Sequence, residues 1–401
     1  MEYDLSTPCF IFDEAEFGRG VNGFREALAA RFGSVAIGYS VKTNSLPYAL
    51  RQARSLGCMA EVVSHDEYRL ARLCGFSPDR IIYNGPMKSR DTFVEAVCGG
   101  AVVNLECKRE LDWLAALPAP GDGSRYPVGL RLNINISHVS AKDADSADDN
   151  SRFGFSDESD EFASAVRRLE EMPHVRLAGL HIHRTTHWRE PRFYRRSVAY
   201  AASVIRKYAL TVDYLDVGGG FFGIFPSKPT FADYAEAFHK ALSEYGMEKL
   251  HIIVEPGNAL TASSFKFLSE VIDVKRVDDH TVFATIDGSR NDVDPFFRKS
   301  DYLKEIIYRR PEPRRTLPQQ TVAGCSCLEY DRLFQLTDSP ELQPGDRILF
   351  NNVGAYTLTL SPQFIRLWAR VYAVSGDGTV REVRPAGEAE VIMNNPSNNY
   401  E

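Results

Sequence analysis

The feature that most constrains this chain is a regular alternation between residues 35 and 257. Eight short apolar runs read as strands: Val35–Lys42, Cys58–Ser64, Arg80–Pro86, Ala101–Cys107, Val128–Asn135, Arg176–His183, Tyr214–Gly220 and His251–Gly257. Amphipathic segments lie between them. In Leu46–Ser55, for example, Leu46, Ala49, Leu50 and Ala53 fall at helical spacing. Asp66–Cys74, Asp91–Val97, Glu110–Ala116, Glu161–Glu171, Phe193–Tyr208 and Phe231–Tyr245 repeat the pattern. Repeated strand–helix units predict an α/β fold with a parallel sheet. The number of units predicts a (β/α)8 TIM barrel. A doubly wound open sheet and two smaller α/β domains are the rivals. The barrel is favoured because its chemistry sits at the C-terminal ends of the strands. Those ends carry Lys42, Ser64, Asn84, Glu106, Asn133, His183, Gly218–Gly220 and Glu255–Asn258.

After about residue 260 the period changes to two. Val271–Val277, Val282–Asp287, Arg347–Asn351, Arg366–Val374 and Thr379–Val383 read as strands, with Gly376–Gly378 as a hairpin turn. The expected organisation is an N-terminal segment 1–25 that joins the β domain, a barrel over 26–260, and a C-terminal all-β domain over 261–401. Pro8–Phe12 is the strand expected to join that later sheet, and Ser137–Asn150 is expected to be a loop above the barrel mouth.

Composition excludes several classes. A formal net charge of -7 does not suit a nucleic-acid binder. No apolar run approaches the ~20 residues of a membrane helix. Met1–Asp4 is acidic and shows no apolar leader, and the seven cysteines include no CxxC pair. The expectation is a cytoplasmic protein with reduced thiols.

The strand ends carry the chemistry. A lysine at the inner end of a strand, Lys42, is a costly charge unless it is used, and burial favours its nucleophilic neutral form. Gly218, Gly219 and Gly220 follow strand seven, and Glu255-Pro256-Gly257-Asn258 follows strand eight. Loops seven and eight are the usual phosphate site of this barrel. A carboxylate there, Glu255, needs a cation, and a protonated pyridine nitrogen is one. His183 would stack on a flat ring, and Thr186 would offer its hydroxyl to the phosphate. His181 reads as a satisfied barrel histidine. A metal at His181 and His183 is disfavoured, since no carboxylate or cysteine spacing completes a ligand set.

Taken together, the motifs resemble the diaminopimelate/ornithine decarboxylase family, the fold-type III enzymes that use pyridoxal 5'-phosphate (PLP). Tyr39–Asn44 resembles the lysine motif, Glu61–Glu67 the segment after strand two, and Ser151–Phe155 the family's Ser-Lys-Phe-Gly stretch. The resemblance implies PLP on Lys42 and cofactor contacts from His183, the three glycines, Glu255, Gly257 and Asn258. It also implies Cys327 as the catalytic cysteine and Tyr356 as a late phosphate contact. A homodimer follows from it, with Cys327 reaching into the partner's site. The departures concern substrate. Asn258 stands where arginine is common, Leu328 follows the cysteine, and Asp294-Pro295 replaces an Arg-Pro. These resemble the carboxynorspermidine and siderophore-biosynthetic branches, the latter acting on N-citryl diamino acids. Arg184 and Arg290 are candidates to hold substrate carboxylates; Asp294, Glu329 and Asp331 are candidates for an ammonium end. The alternatives are decarboxylation of free ornithine or lysine, of carboxynorspermidine or of diaminopimelate. Further off stand a racemase, against which Glu255 argues, and a non-catalytic regulatory homologue, against which Lys42 and Cys327 argue.

Overall fold

The computed structural model describes residues 4–135, 151–184, 189–278, 280–310 and 312–390. The chain forms two compact units, one of Gly18–Leu260 and the other of Met1–Phe17 with Thr261–Glu401. The first strand, β1 (Cys9–Asp13), belongs to the second unit.

The first unit is built on β2 (Val35–Ser40), β3 (Met59–Ser64), β4 (Ile81–Met87), β5 (Val102–Leu105), β6 (Tyr126–Asn133), β8 (Val175–His181), β9 (Tyr214–Asp216) and β10 (His251–Val254), with a two-residue β7 (Phe155–Ser156) appended to β6. Neighbours pair in parallel around a closed circuit, and β10 returns to β2. This is the expected barrel. Four of its helices start where the sequence supplies a capping side chain. Ser64, Ser89 and Ser159 accept N–H bonds from their first turns, and Thr230 forms a reciprocal capping box with Asp233.

Strand alternation sets two layers inside the barrel, because residues two apart share a face. An apolar or glycine residue is followed two positions later by a polar one on every strand. The pairs are Gly38/Ser40, Met59/Glu61, Ile82/Asn84, Val102/Asn104, Gly129/Arg131, Gly179/His181, Tyr214/Asp216 and Ile253/Glu255. Met59, Ile82, Tyr214 and Ile253 pack in one buried cluster. Gly129 and Gly179 make room for the Tyr214 side chain: a Cβ on Gly179 would lie 2.4 Å from its ring, and one on Gly129 2.2 Å from its hydroxyl. The polar layer lies one step nearer the C-terminal ends and supplies the site.

The second unit is a nine-stranded mixed sheet. Its strands are β1, β11 (Phe265–Arg276), β12 (Val282–Ile286), β13 (Lys304–Ile307), β14 (Thr316–Ala323), β15 (Arg332–Pro340), β16 (Arg347–Phe350), β17 (Arg370–Val374) and β18 (Val380–Arg384). The order is β15-β14-β12-β11-β1-β17-β18, with β16 pairing β11 and β13 pairing β16. β1 is antiparallel to β11 and parallel to β17. It is buried on both faces. Cys9 and Ile11 pack with Leu268, Leu349 and Val374, while Phe12 stacks on Phe265 at 4.6 Å and Phe10 meets Phe267 at 4.9 Å.

Three features differ from the sequence expectation. A helix over Glu14–Ala29 was not expected, and the division between the two units falls within it, after Phe17. Strands β13, β14 and β15 were not expected either. Val41 and Lys42 lie beyond their strand, in a 3-10 turn over Val41–Thr43. The expected loop at Ser137–Asn150 lies outside the described residues.

Candidate active site

Lys42 stands off the end of β2 because that 3-10 turn lifts it clear of the strand ladder. Its Nζ donates to Glu61 Oε2 at 2.6 Å and to Ser40 Oγ at 2.9 Å. Ser40 Oγ donates to the same Glu61 oxygen at 2.6 Å. Gly257 allows the turn to sit against the end of β10, since a Cβ there would come within 2.0 Å of Thr43 Oγ1.

From Glu61 the polar layer continues across the barrel. The Asn84 amide donates to Glu61 Oε1 at 3.3 Å and to Glu255 Oε1 at 2.5 Å. Asn84 Oδ1 accepts from Asn104 Nδ2 at 2.8 Å, and Asn104 Oδ1 accepts from the Tyr214 hydroxyl at 2.9 Å. These partners fix both amide orientations. Glu255 Oε2 lies 3.5 Å from His181 Nε2. His181 is not the satisfied histidine expected from the sequence, since both its ring nitrogens are buried without a hydrogen-bond partner among the described residues. The sequence spacing offered His181 no carboxylates; the fold brings two, Asp216 and Glu255, whose oxygens lie within 4.8 Å of its ring nitrogens and of each other.

Two buried carboxyls this close do not ionise alike. Burial, reinforced by the charge on Glu255, holds the Asp216 carboxyl well above the usual range. Burial opposes ionisation at Glu255 too, but His181 and Lys42 outweigh it and hold that carboxyl below the usual range. The pair therefore carries one negative charge, placed on Glu255.

His183 lies just past β8. Burial, then the positive charges of Lys42 and Arg131, push its ring down to about 3, so the imidazole is neutral at physiological pH. Gly219 N–H donates to its Nδ1 at 3.0 Å, which places the ring proton on Nε2.

Most N–H groups of the glycine run are engaged within the protein rather than open to an anion. Gly218 N–H donates to Asp216 Oδ1 at 3.0 Å, and Gly219 N–H is taken by His183. Only the Gly220 N–H meets no acceptor among the described residues. The run serves close approach instead: a Cβ on Gly218 would lie 2.6 Å from His183 Nδ1, and one on Gly219 2.4 Å from the Glu255 carbonyl oxygen.

Of the other expected residues, Arg184 follows His183 and is half-buried, Asn258 opens the short helix Asn258–Thr261, and Thr186 lies outside the described residues. Cys327, Glu329 and Tyr356 are exposed in the second unit, Tyr356 with left-handed backbone at φ 60°. Three expected substrate contacts are engaged within that unit. The Asp294 carboxylate accepts from the Arg290 guanidinium at 3.0 and 3.2 Å and from Lys299 N–H at 2.9 Å. Arg290 also donates to the Lys299 carbonyl at 2.6 Å. Asp331 is buried and takes N–H bonds from Arg290 and Ser326 at 2.8 and 3.1 Å, holding the 324–331 loop in shape. Arg290 and Asp294 neutralise each other, and the buried Asp331 carboxylate is turned inward to brace the Cys327 loop.

The site residues of the barrel fit a planar, phosphate-bearing pyridine aldehyde. They offer a primary amine, a neutral flat ring, a carboxylate held in its charged form, and a loop where any Cβ would intrude.

Comparison with known proteins agrees. Residues 16–262 match the pyridoxal-binding domain of pyridoxal-dependent decarboxylases. The chain is 26% identical to a probable chloroplastic diaminopimelate decarboxylase of Oryza sativa subsp. japonica, covering 94% of this chain and 77% of the relative. It is 27% identical to the L-glutamyl-[BtrI acyl-carrier protein] decarboxylase of Niallia circulans, covering 97% and 93%. The fold superposes on the crystal structure of a diaminopimelate decarboxylase from M. jannaschi with a TM-score of 0.83 at 22% identity, covering 98% of this chain and 92% of that one. No helix among the described residues is long and apolar enough to cross a membrane. A family match over well over half the chain, on a site built for the cofactor, places this protein among the pyridoxal-dependent decarboxylases, as a PLP enzyme that removes a carboxyl group from an amino acid.

Proposed function

We propose that Lys42 bears the cofactor and that the enzyme α-decarboxylates a diamino acid conjugate carrying extra carboxylates, such as an N-citryl diamino acid of siderophore biosynthesis. Bound PLP supplies an electron sink for the pair of electrons left when CO2 departs. The neutral His183 ring packs on the cofactor face. Glu255, held ionised, keeps the proton on the ring nitrogen, and protonated Asp216 leaves that charge unopposed. Gly218, Gly219, Gly220, Thr186, Gly257, Asn258 and Tyr356 hold the phosphate, the first two by giving room and Gly220 by its N–H. Cys327 delivers its thiol proton to the carbon that lost the carboxylate. Arg184 faces substrate carboxylates, and exposed Glu329 is the acid left for an ammonium end.

The observation that carries the substrate reading is the engagement of Asp294 by Arg290. Where a distal carboxylate would need an arginine, this chain has an aspartate already paired. A buried carboxylate left without its cation costs ~3–5 kcal/mol, at least roughly a hundredfold in specificity. The Niallia relative, by its name, also acts on an amino acid joined to something larger. Diaminopimelate is the chief rival, since the rice relative and the superposed structure carry that name. Free ornithine or lysine would need only Glu329. Comparison of kcat/KM for N-citryl diamino acids, diaminopimelate, ornithine and lysine decides. The conjugate is expected to lead diaminopimelate by about a hundredfold; a clear lead for diaminopimelate or for a free diamino acid overturns the reading.

The working state is proposed to be a homodimer in which Cys327 serves the partner's Lys42 site. Mixing inactive Lys42→Ala and Cys327→Ala subunits then restores up to about a quarter of native activity. That figure follows because random pairing makes half the dimers hybrid, each with one intact site. Absence of recovery after proven subunit exchange overturns the shared site.

A further inference from the structure

A second charged assembly in the barrel wall takes no part in the chemistry above. Lys88, just past β4, and Glu110, on the helix Lys108–Ala115, form an ion pair of 3.1 Å with both side chains fully buried. The Lys88 ammonium also donates to the carbonyls of Gly85 and Asn104 at 2.7 and 3.1 Å, so all three protons are used. Glu110 Oε2 accepts the backbone N–H of Glu106 at 2.7 Å. Glu106 Oε1 accepts from Arg131 Nη1 at 2.7 Å, with the two side chains 1% and 9% exposed. Arg131 Nη2 donates to the main-chain carbonyl of His183 at 3.2 Å. The Phe153 ring covers the guanidinium at 4.8 Å. Gly154 lets that segment lie so close, since its φ is +75° and a Cβ there would come within 2.6 Å of the Arg131 carbonyl oxygen.

Two successive buried ion pairs are a poor way to gain stability, because well-packed apolar residues of similar volume do as well or better. What such pairs supply is fixed geometry. Here the geometry ends on the carbonyl of His183, two residues past β8 and one past the Ile182 N–H bond to the Asp216 carbonyl at 2.8 Å. We propose that Arg131 is a positioning residue for His183, and that Lys88, Glu110 and Glu106 form the brace that holds Arg131 in place. This rests on the reading of His183 as the ring that packs against the cofactor. The Arg131 carbonyl bond fixes the backbone, and the Gly219 N–H then fixes the ring. Arg131 also adds, after burial and Lys42, to the positive field that keeps the imidazole neutral. Glu106 Oε2 is buried without a hydrogen-bond partner among the described residues, so Arg131 carries the neutralisation of that carboxylate.

The test uses the full chain labelled with 15N-histidine, with and without PLP, in three forms: wild type, Arg131→Lys, and Arg131→Met/Glu106→Met. Lysine keeps the charge but has one nitrogen for two acceptors. The double variant removes both charges and leaves neither buried alone. In wild type His183 is expected as a single tautomer with its proton on Nε2. In both variants that signature averages between tautomers, and the dissociation constant for PLP rises about tenfold to a hundredfold, the worth of a hydrogen bond to a charged group. Arg131→Lys is expected to retain more affinity than the double variant. A fixed His183 tautomer with PLP affinity within about twofold of wild type, alongside a lowered melting temperature, would make the brace structural only and overturn the proposal. Should the double variant not fold, Arg131→Lys alone decides on the same readouts. If PLP leaves the His183 resonances of wild type unmoved, the cofactor reading of His183 fails, while the tautomer comparison without PLP still judges the brace.

Discussion

Lys42→Ala loses turnover by roughly a thousandfold or more, while the protein stays folded. The activity loss follows from removing the amine that bonds Glu61 at the edge of the polar layer, and positioned proton-transfer groups alone contribute about 10²–10⁴-fold. The stability effect is smaller than a buried pair suggests. Glu61 is 1% exposed, but the Lys42 side chain is 31% exposed. Water replaces the ammonium, and Ser40 Oγ and the Asn84 amide remain as donors to Glu61. The expected loss is therefore roughly 1 kcal/mol. In the wild-type protein, borohydride reduction followed by peptide mapping finds the pyridoxyl group on Lys42. Its appearance on another lysine would displace Lys42 from the role.

Glu255→Gln is expected to lower kcat by about 10²–10⁴-fold with little change in protein stability. Glutamine keeps the shape and still accepts from Asn84, but it cannot stay negative beside a protonated ring nitrogen. The coupling with Asp216 sharpens the test. Asp216 holds its proton because of burial and then because Glu255 is charged. Removing that charge makes Asp216 easier to ionise, and a partial negative charge returns to the site. The double variant Glu255→Gln/Asp216→Asn is therefore expected to be worse than Glu255→Gln, while Asp216→Asn alone is mild. Steady-state kcat for the three variants, with bound-cofactor absorbance recorded across pH, checks the order. A severe Asp216→Asn and a mild Glu255→Gln would put the working carboxylate on Asp216.

How far the sequence reveals this arrangement depends on which force shapes each part. The barrel strands were legible within a few residues because burial on both faces leaves a run that is apolar but for one or two polar positions. Their ends were placed too late. Ile182–His183, Val217–Gly220 and Glu255–Gly257 look strand-like, but only their first residues still bond to the neighbouring strand, through the N–H groups of Ile182, Val217 and Glu255, before the chain turns away to form the site. The helix Glu14–Ala29 was hidden by Gly18, Gly20 and Gly23, although Phe17, Val21, Phe24 and Leu28 form its buried stripe. In β14, Pro318 argues against a central strand. The structure resolves the conflict, since β12 pairs only with Thr321–Ala323 and Pro318 lies beyond it. At the site, Lys42, His183 and Glu255 stood out at strand ends. Glu61, Asn104, Arg131, His181 and Asp216 were missed as working residues. A signal existed: each is a polar side chain inside an apolar strand, two residues after a small or apolar one, which is expensive without partners. Nothing in sequence spacing shows that Arg290 and Asp294 cancel each other, or that Asp331 turns inward; those depend on how one loop folds on itself.

The position of β1 has a consequence for how this protein is made. On a ribosome, residues 9–13 emerge more than 250 residues ahead of their sheet partners, Phe265–Leu268 and Arg370–Val374. At about 5–20 residues per second, that interval is roughly 10–50 s. Throughout it, Cys9–Asp13 is an apolar strand with both edges open, while the barrel segment completes translation. Such an edge pairs readily with any other strand within reach. Crowded polysomes making this chain would thus hold many copies of the same unpaired strand at once, and demand for a holding chaperone should fall on this strand rather than on the barrel.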